Sequence, residues 1–357
     1  MAARSETAGY LDLLRAVAIV LVTNSHLDTL YPIPQLGTGG MFGNELFFFV
    51  SGFGLFLGFE KSNEKLGSWI RRRMRRIYEP LFIIATFFVL VGYIQITSIS
   101  DFFWLYIVSM WFWFLPAIAA CYLPIFYSMK SISTKSGYRA LFASLGLAYL
   151  LIFVLFAKKT EWITENWHVQ TAVTFPLRMI YYFAAMAAGV YAARYHRKIS
   201  GRWSDLAWLV LSAATYYAFV AALGRIIPFE LQIIDRIPAI AFLVFAYRSS
   251  RHPAVERLMT TPLKAVVTLI AGLSLQIYMV HGFILHLEPL QRIAFPGNLI
   301  VFVIGTLALA IAFEKIAFSA QGASTNPSRS NSDHKESRSP ASTSVRDKAT
   351  LRLHSAE

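Results

Sequence analysis

Apolar runs about twenty residues long, separated by short polar or basic stretches, recur from Leu11 to Phe318. A helical run of that length matches the ~30 Å hydrocarbon core of a bilayer at a rise of ~1.5 Å per residue. The pattern predicts an all-α, polytopic membrane protein with about ten transmembrane helices. The expected spans are 11–28, 41–59, 78–98, 103–129, 140–157, 172–192, 204–224, 229–247, 265–285 and 298–318. Pro228, Glu230, Asp235, Arg236 and Pro238 interrupt the eighth, which is expected to be short or partly re-entrant. A membrane β-barrel would instead show alternating segments of about ten residues. No such alternation and no convincing internal repeat is visible.

The polar remainder orients the spans. Eighteen Lys and Arg, from Lys61 to Lys264, fall in one set of alternate loops, against five (Lys158, Lys159, Arg225, Arg236 and Arg292) in the opposite set. Positive loops stay on the cytoplasmic side, so both termini are expected there, in a multi-pass protein of the inner (plasma) membrane. Residues 1–319 then form the membrane domain. Residues 320–357 are rich in Ser, Thr, Asn and Arg and poor in large apolar residues, and they read as a disordered cytoplasmic tail.

Composition agrees with a membrane protein. The chain is 56% hydrophobic but only 15% charged, where a soluble domain carries about 25%. The net charge of +13 lies in loops and tail rather than on a stripe, which excludes nucleic acid as the expected partner and leaves the lipid bilayer. Cys121 is the single cysteine, so no intrachain disulfide is possible. A cleaved signal peptide fits poorly, because Arg15 interrupts the first apolar stretch and no small-residue cleavage site follows.

Polar residues inside the spans carry the candidate chemistry. In "YLDLLRAVAIVLVTNSHL", residues 10–27, Arg15 and His26 are eleven positions apart. On one continuous helix that spacing puts them on one face, separated by roughly 16 Å. Asp12, a turn before Arg15, is its expected ion-pair partner. "GNELFFFVSGFGLFLGF", from Gly43, supplies small surfaces for close helix packing, together with Ser51 and the acidic Glu45. "RRRMRRIYEP", from Arg71, closes the first cytoplasmic loop. Its arginines are a topology and anionic-lipid signal, or a clamp for an anionic ligand such as a nucleotide phosphate. "WFWFLPAI", from Trp111, reads as an aromatic belt. His281, in "GLSLQIYMVHGFILH", is expected at the same depth as His26, so the two could face one cavity. Arg178 is a further intramembrane charge that needs a partner.

Together these segments resemble the acyltransferase 3 family of integral membrane acyltransferases. Asp12, Arg15 and His26 resemble the family's Asp-x-Leu-Arg start and its motif of Arg, ten residues, His. "GNELFFFVSGF" resembles its Gly-x-x-x-Phe-Phe-x-x-Ser-Gly-Phe signature, with Asn44 and Glu45 departing from its acidic position. "RMRRIYEP" resembles its Arg-x-x-Arg motif, here Arg73 and Arg76, while "WFLPA" and "SLQIYMVH" match two later landmarks. The resemblance runs from about residue 8 to 318 and implies transfer of an acyl group, most often acetyl. The donor is a cytosolic acyl-CoA, and the acceptor is a hydroxyl of a cell-surface or exported polysaccharide. It implies no bound cofactor and no metal.

On that resemblance His26 is the expected base, or a transient acyl carrier, with Arg15 steering the donor. Arg73 and Arg76 are expected to hold CoA phosphates, and His281 and Ser51 to contribute to substrate binding. The rival from the residues alone is a transporter or flippase for an anionic or glycan substrate, its path lined by the same charges. A structural membrane protein is a third possibility. Transporters commonly carry repeated halves with broken helices, and no paired halves are visible here.

Overall fold

The computed structural model describes residues 2–62, 64–157 and 174–324. Lys158, Lys159 and residues 325–357 of the expected tail lie outside the described residues, whereas residues 320–324, expected to begin that tail, continue the last helix, Gly297–Ser324. The chain divides into two units, Met1–Ala317 and Phe318–Glu357, and the site lies in the first. Among the described residues the protein is helical throughout, with no strand.

Eleven longer helices organise the described residues. They are α1 (Ala2–Asn24), α2 (Gly40–Lys61), α3 (Leu66–Leu90), α4 (Phe114–Ser131), α5 (Lys135–Ile152) and α6 (Thr174–Tyr195). Then follow α7 (Trp203–Ala222), α8 (Arg236–Ser250), α9 (Leu263–Gly272), α10 (Ser274–Leu285) and α11 (Gly297–Ser324). Among the described residues, four helical segments are long and apolar enough to cross a membrane, or six if each of two bent pairs is one span. Helices α1, α3, α6 and α8 are not among these segments. The expected count of ten and the orientation of the termini therefore rest on the sequence pattern.

Helix α2 is the central element, buried along most of its length. It packs on α6 through reciprocal glycines. A Cβ at Gly52 would overlap the carbonyl oxygen of Met186, and one at Gly189 would overlap that of Phe49. Hydrogen in place of a side chain lets the two backbones touch, which gains dispersion energy that lipid tails cannot supply equally. Around this contact Phe48 stacks on Tyr182 with ring centroids 4.7 Å apart, and Phe42 on Phe242 at 3.9 Å.

Three spans depart from the pattern. The third helix begins at Leu66, not near residue 78, so the arginines of "RRRMRR" are helical rather than part of a loop. Trp69, Ile77, Leu81, Ile84 and Phe88 are buried at helical spacing and carry one apolar stripe through the basic segment. The span expected at 103–129 breaks before α4, where Ser109 adopts a left-handed φ of 61°, and its two halves meet at 87°. The span expected at 265–285 bends by 75° between α9 and α10. The eighth span is a 3₁₀ segment, Phe229–Asp235, followed by the fifteen-residue α8, as its interrupting residues foretold.

Candidate functional site

The first functional feature lies where α1 ends. Asn24 is the last helical residue. The backbone then tightens: Ser25 N–H donates to Leu21 O at 3.2 Å, but His26 N–H donates to Thr23 O at 3.1 Å. His26 thus sits in a turn two residues beyond the helix, not on the continuous face expected for it. Asn24 holds that turn in place. Its Nδ2 donates to Leu36 O (2.8 Å) and Thr38 O (3.0 Å), and its Oδ1 accepts from Tyr31 Oη at 2.6 Å.

His281, in the last turns of α10, faces this turn. Its ring centroid lies 5.1 Å from that of His26, with the planes tilted by 43°. His281 is buried, and its Nδ1 lies 2.7 Å from Tyr278 O and 3.2 Å from Ile277 O. Carbonyl oxygens only accept, so Nδ1 carries the hydrogen and the neutral ring keeps its lone pair on Nε2. Tyr278 also anchors the broken span, its hydroxyl accepting from Phe114 N–H at 3.3 Å. "WFLPA" is therefore a support for the histidine helix, beyond the belt expected of it.

The arginines lie progressively further away. Arg15 meets Asp12 at 3.5 Å, the pair expected from their spacing, and both side chains are partly exposed. Helix α2 serves as a ruler. Its first residue, Gly40, lies against Ser25 beside His26, whereas Gly58 lies against Arg73. Eighteen residues of helix separate these contacts, about 27 Å. Arg73 also has its guanidinium 5.5 Å from the Trp69 ring centre. Arg76, a turn on, is exposed. The structure therefore brings His26 and His281 together and leaves Arg73 and Arg76 at the far end of α2. Ser51 is half-buried on α2, next to the Gly52 contact with α6.

A second polar cluster lies across α2 from α1. Glu45 is fully buried, with Asp235 and Arg236 as its charged neighbours. Arg236 lies 3.2 Å from Asp235, donates to Tyr149 Oη at 3.2 Å and places its guanidinium 5.1 Å from the centre of the Tyr181 ring. Tyr182 brings Arg178 and Asn44 into the same group. Gln232 is fully buried as well. Arg178 thus has its polar company. In the sequence Asp235 and Arg236 were legible only as interruptions of a weak span. The available signal was an Asp-Arg pair at the mouth of an apolar segment, which a bilayer tolerates only in polar surroundings.

A family model described as an acyltransferase domain matches residues 8–315. No curated protein and no solved structure matches the chain.

Proposed function

This chain belongs to the acyltransferase 3 family, and from that premise we propose that it moves an acyl group from cytosolic acyl-CoA to a hydroxyl of an envelope polysaccharide. The observation that carries the proposal is the contact between His26 and His281 at one end of α2, with arginines at the other. Acetyl is the proposed acyl group. The proposed setting is a ten-span protein of the inner membrane with both termini cytoplasmic, so the histidines face outward and Arg73 and Arg76 face the donor.

In the proposed reaction His26 takes the proton of the acceptor hydroxyl. The oxygen bonds to the thioester carbon, the carbon–sulfur bond breaks, and the leaving thiolate is protonated by the His26 imidazolium. Histidine suits this exchange because its pKa lies near neutrality. His281 presents a lone pair at Nε2, so it can accept the N–H of His26. That contact orients the His26 ring and leaves its other nitrogen as the base. His281 is then a positioning residue as much as a wall of the acceptor site. Arg73 and Arg76 would hold CoA phosphates through charge-assisted bonds, and the extended thioester arm would pass Arg15 on its way to the histidines. Ser51 is proposed to line that path.

The test is transfer from radiolabelled acyl-CoA by purified protein in nanodiscs, paired with mass spectrometry of envelope glycans from a deletion strain and its parent. Labelled product and a lost glycan acyl group are expected. Absence of both sinks the proposal and returns the transporter alternative.

A further inference from the structure

The glycines of α2 do not all serve the same kind of neighbour. A Cβ at Gly43 would meet the α1 backbone at Ala18 O and Val22 N, and one at Gly52 would meet the α6 backbone at Met186 O. Those two let helices approach. A Cβ at Gly58 would meet a single atom outside its own helix, Nη2 of Arg73, at 2.9 Å. Close helix packing therefore does not account for this glycine. The same guanidinium has its Cζ 5.5 Å from the centre of the Trp69 ring, one turn earlier on α3. Trp69 is fully buried and is held by α4, its ring centroid 5.9 Å from that of Tyr122 and 5.2 Å from that of Phe126. An aromatic face attracts a cation through its quadrupole, so the indole holds the guanidinium without engaging its N–H groups. Two neighbouring arginines are engaged in ion pairs, Arg72 with Glu64 at 2.7 Å and Arg75 with Glu79 at 2.6 Å. Among the described residues Arg73 has no carboxylate within ion-pair distance, and its buried Nε has no hydrogen-bond partner.

We propose that Gly58 and Trp69 are positioning residues that seat Arg73 for the anionic end of the acyl donor, Gly58 by leaving room for the guanidinium and Trp69 by holding it against a fixed ring. A guanidinium grips a phosphate best through two parallel N–H···O bonds, which require its plane to keep one orientation. An arginine left to itself has several rotamers of similar energy and loses that freedom on binding. The seat removes the freedom beforehand, so the donor meets a group already in place. It is built from three helices, with clearance from α2, the aromatic face from α3 and the wall behind that face from α4. Donor recognition then depends on how these helices pack and not on the basic segment alone. In naming the donor, the inference rests on the acyl-transfer proposal. The seating of Arg73 does not.

The experiment uses purified full-length protein in nanodiscs, with coenzyme A binding read by calorimetry and stability by melting temperature. Gly58→Ala adds one methyl inside α2, and alanine is the better helix former, so its melting temperature should be unchanged or higher. Its affinity for coenzyme A should nevertheless fall about fivefold or more, because the methyl displaces the guanidinium. Trp69→Phe should weaken binding severalfold, and the indole N–H that it removes bonds to no described group. In an Arg73→Ala background neither substitution should lower affinity further. There Gly58→Ala should also raise the melting temperature by more than it does beside an intact Arg73, since the crowded group is gone. Gly54→Ala, with nothing near its missing Cβ, should bind as the wild type does. Misfolding of Trp69→Phe would leave Gly58→Ala to decide. Wild-type affinity in Gly58→Ala, or a loss of equal size with and without Arg73, would overturn the proposal. In a protein that still transfers label from acyl-CoA, that result would leave the acyl-transfer proposal standing. If the wild type binds no coenzyme A, the donor assignment falls and the melting temperatures decide the seat alone. Non-additive changes for Gly58→Ala and Arg73→Ala would uphold it, and additive ones would overturn it.

Discussion

His281 turns its ring toward His26 at 5.1 Å between centroids while its Nδ1 is bonded to the carbonyl oxygens of its own helix. The hydrogen on His281 is thereby fixed on the nitrogen facing its own backbone, and Nε2 is left to accept. His26→Ala should lower acyl transfer by at least ~10²-fold, the usual contribution of a positioned base. His281→Ala should cost less and should also shift the acidic limb of the pH–rate profile, because it removes the ring proposed to orient His26. Turnover assays across pH on correctly inserted protein check both. Normal turnover in the His26 variant would remove it from the chemistry.

Arg15 keeps an ion pair with Asp12 at 3.5 Å within an apolar helix. A planar guanidinium can hold Asp12 and a donor carbonyl at once, whereas an ammonium is a point charge. Arg15→Lys is therefore expected to lose roughly tenfold or more in kcat/KM. Full activity in the lysine variant would reduce the residue to a depth marker.

Arg73 and Arg76 lie at the end of α2 remote from the histidines. The double variant Arg73→Ala, Arg76→Ala should raise KM for acyl-CoA about tenfold or more and leave KM for the acceptor nearly unchanged. Orientation is verified first by accessibility labelling, since these charges also set topology. An unaltered donor KM in correctly oriented protein would exclude the phosphate assignment.

Gly189→Ala should destabilise the bundle by ~1–3 kcal/mol, because its methyl would overlap the Phe49 carbonyl oxygen on α2. Gly54→Ala, on the same helix as Phe49 but with nothing near its missing Cβ, is the matched control and should be neutral. Thermal unfolding in detergent compares them. Equal melting temperatures would mean that the α2–α6 contact is looser than described.

Much of the molecule was legible in one dimension. The apolar period gave the helices, and the order of the motifs around Arg15, Ser51, Arg73 and His281 pointed to the family, because hydrophobic matching and local spacing act through neighbours in sequence. The Arg15–Asp12 pair was readable for the same reason, being one helical turn. Hydropathy does not record backbone direction, so the breaks just before α4 and between α9 and α10 passed as continuous spans. Nor does it separate a helical arginine from one in a loop, and only the buried stripe from Trp69 to Phe88 carried α3 through its basic segment. Which helices become neighbours was decided by tertiary packing alone. The glycine contact of α2 with α6, and the docking of α10 beside the end of α1, brought together residues from opposite ends of the chain. That packing made a pair of His26 and His281 and a buried cluster of Glu45, Asp235 and Arg236, whose charges have meaning only through the partners across the helix boundary.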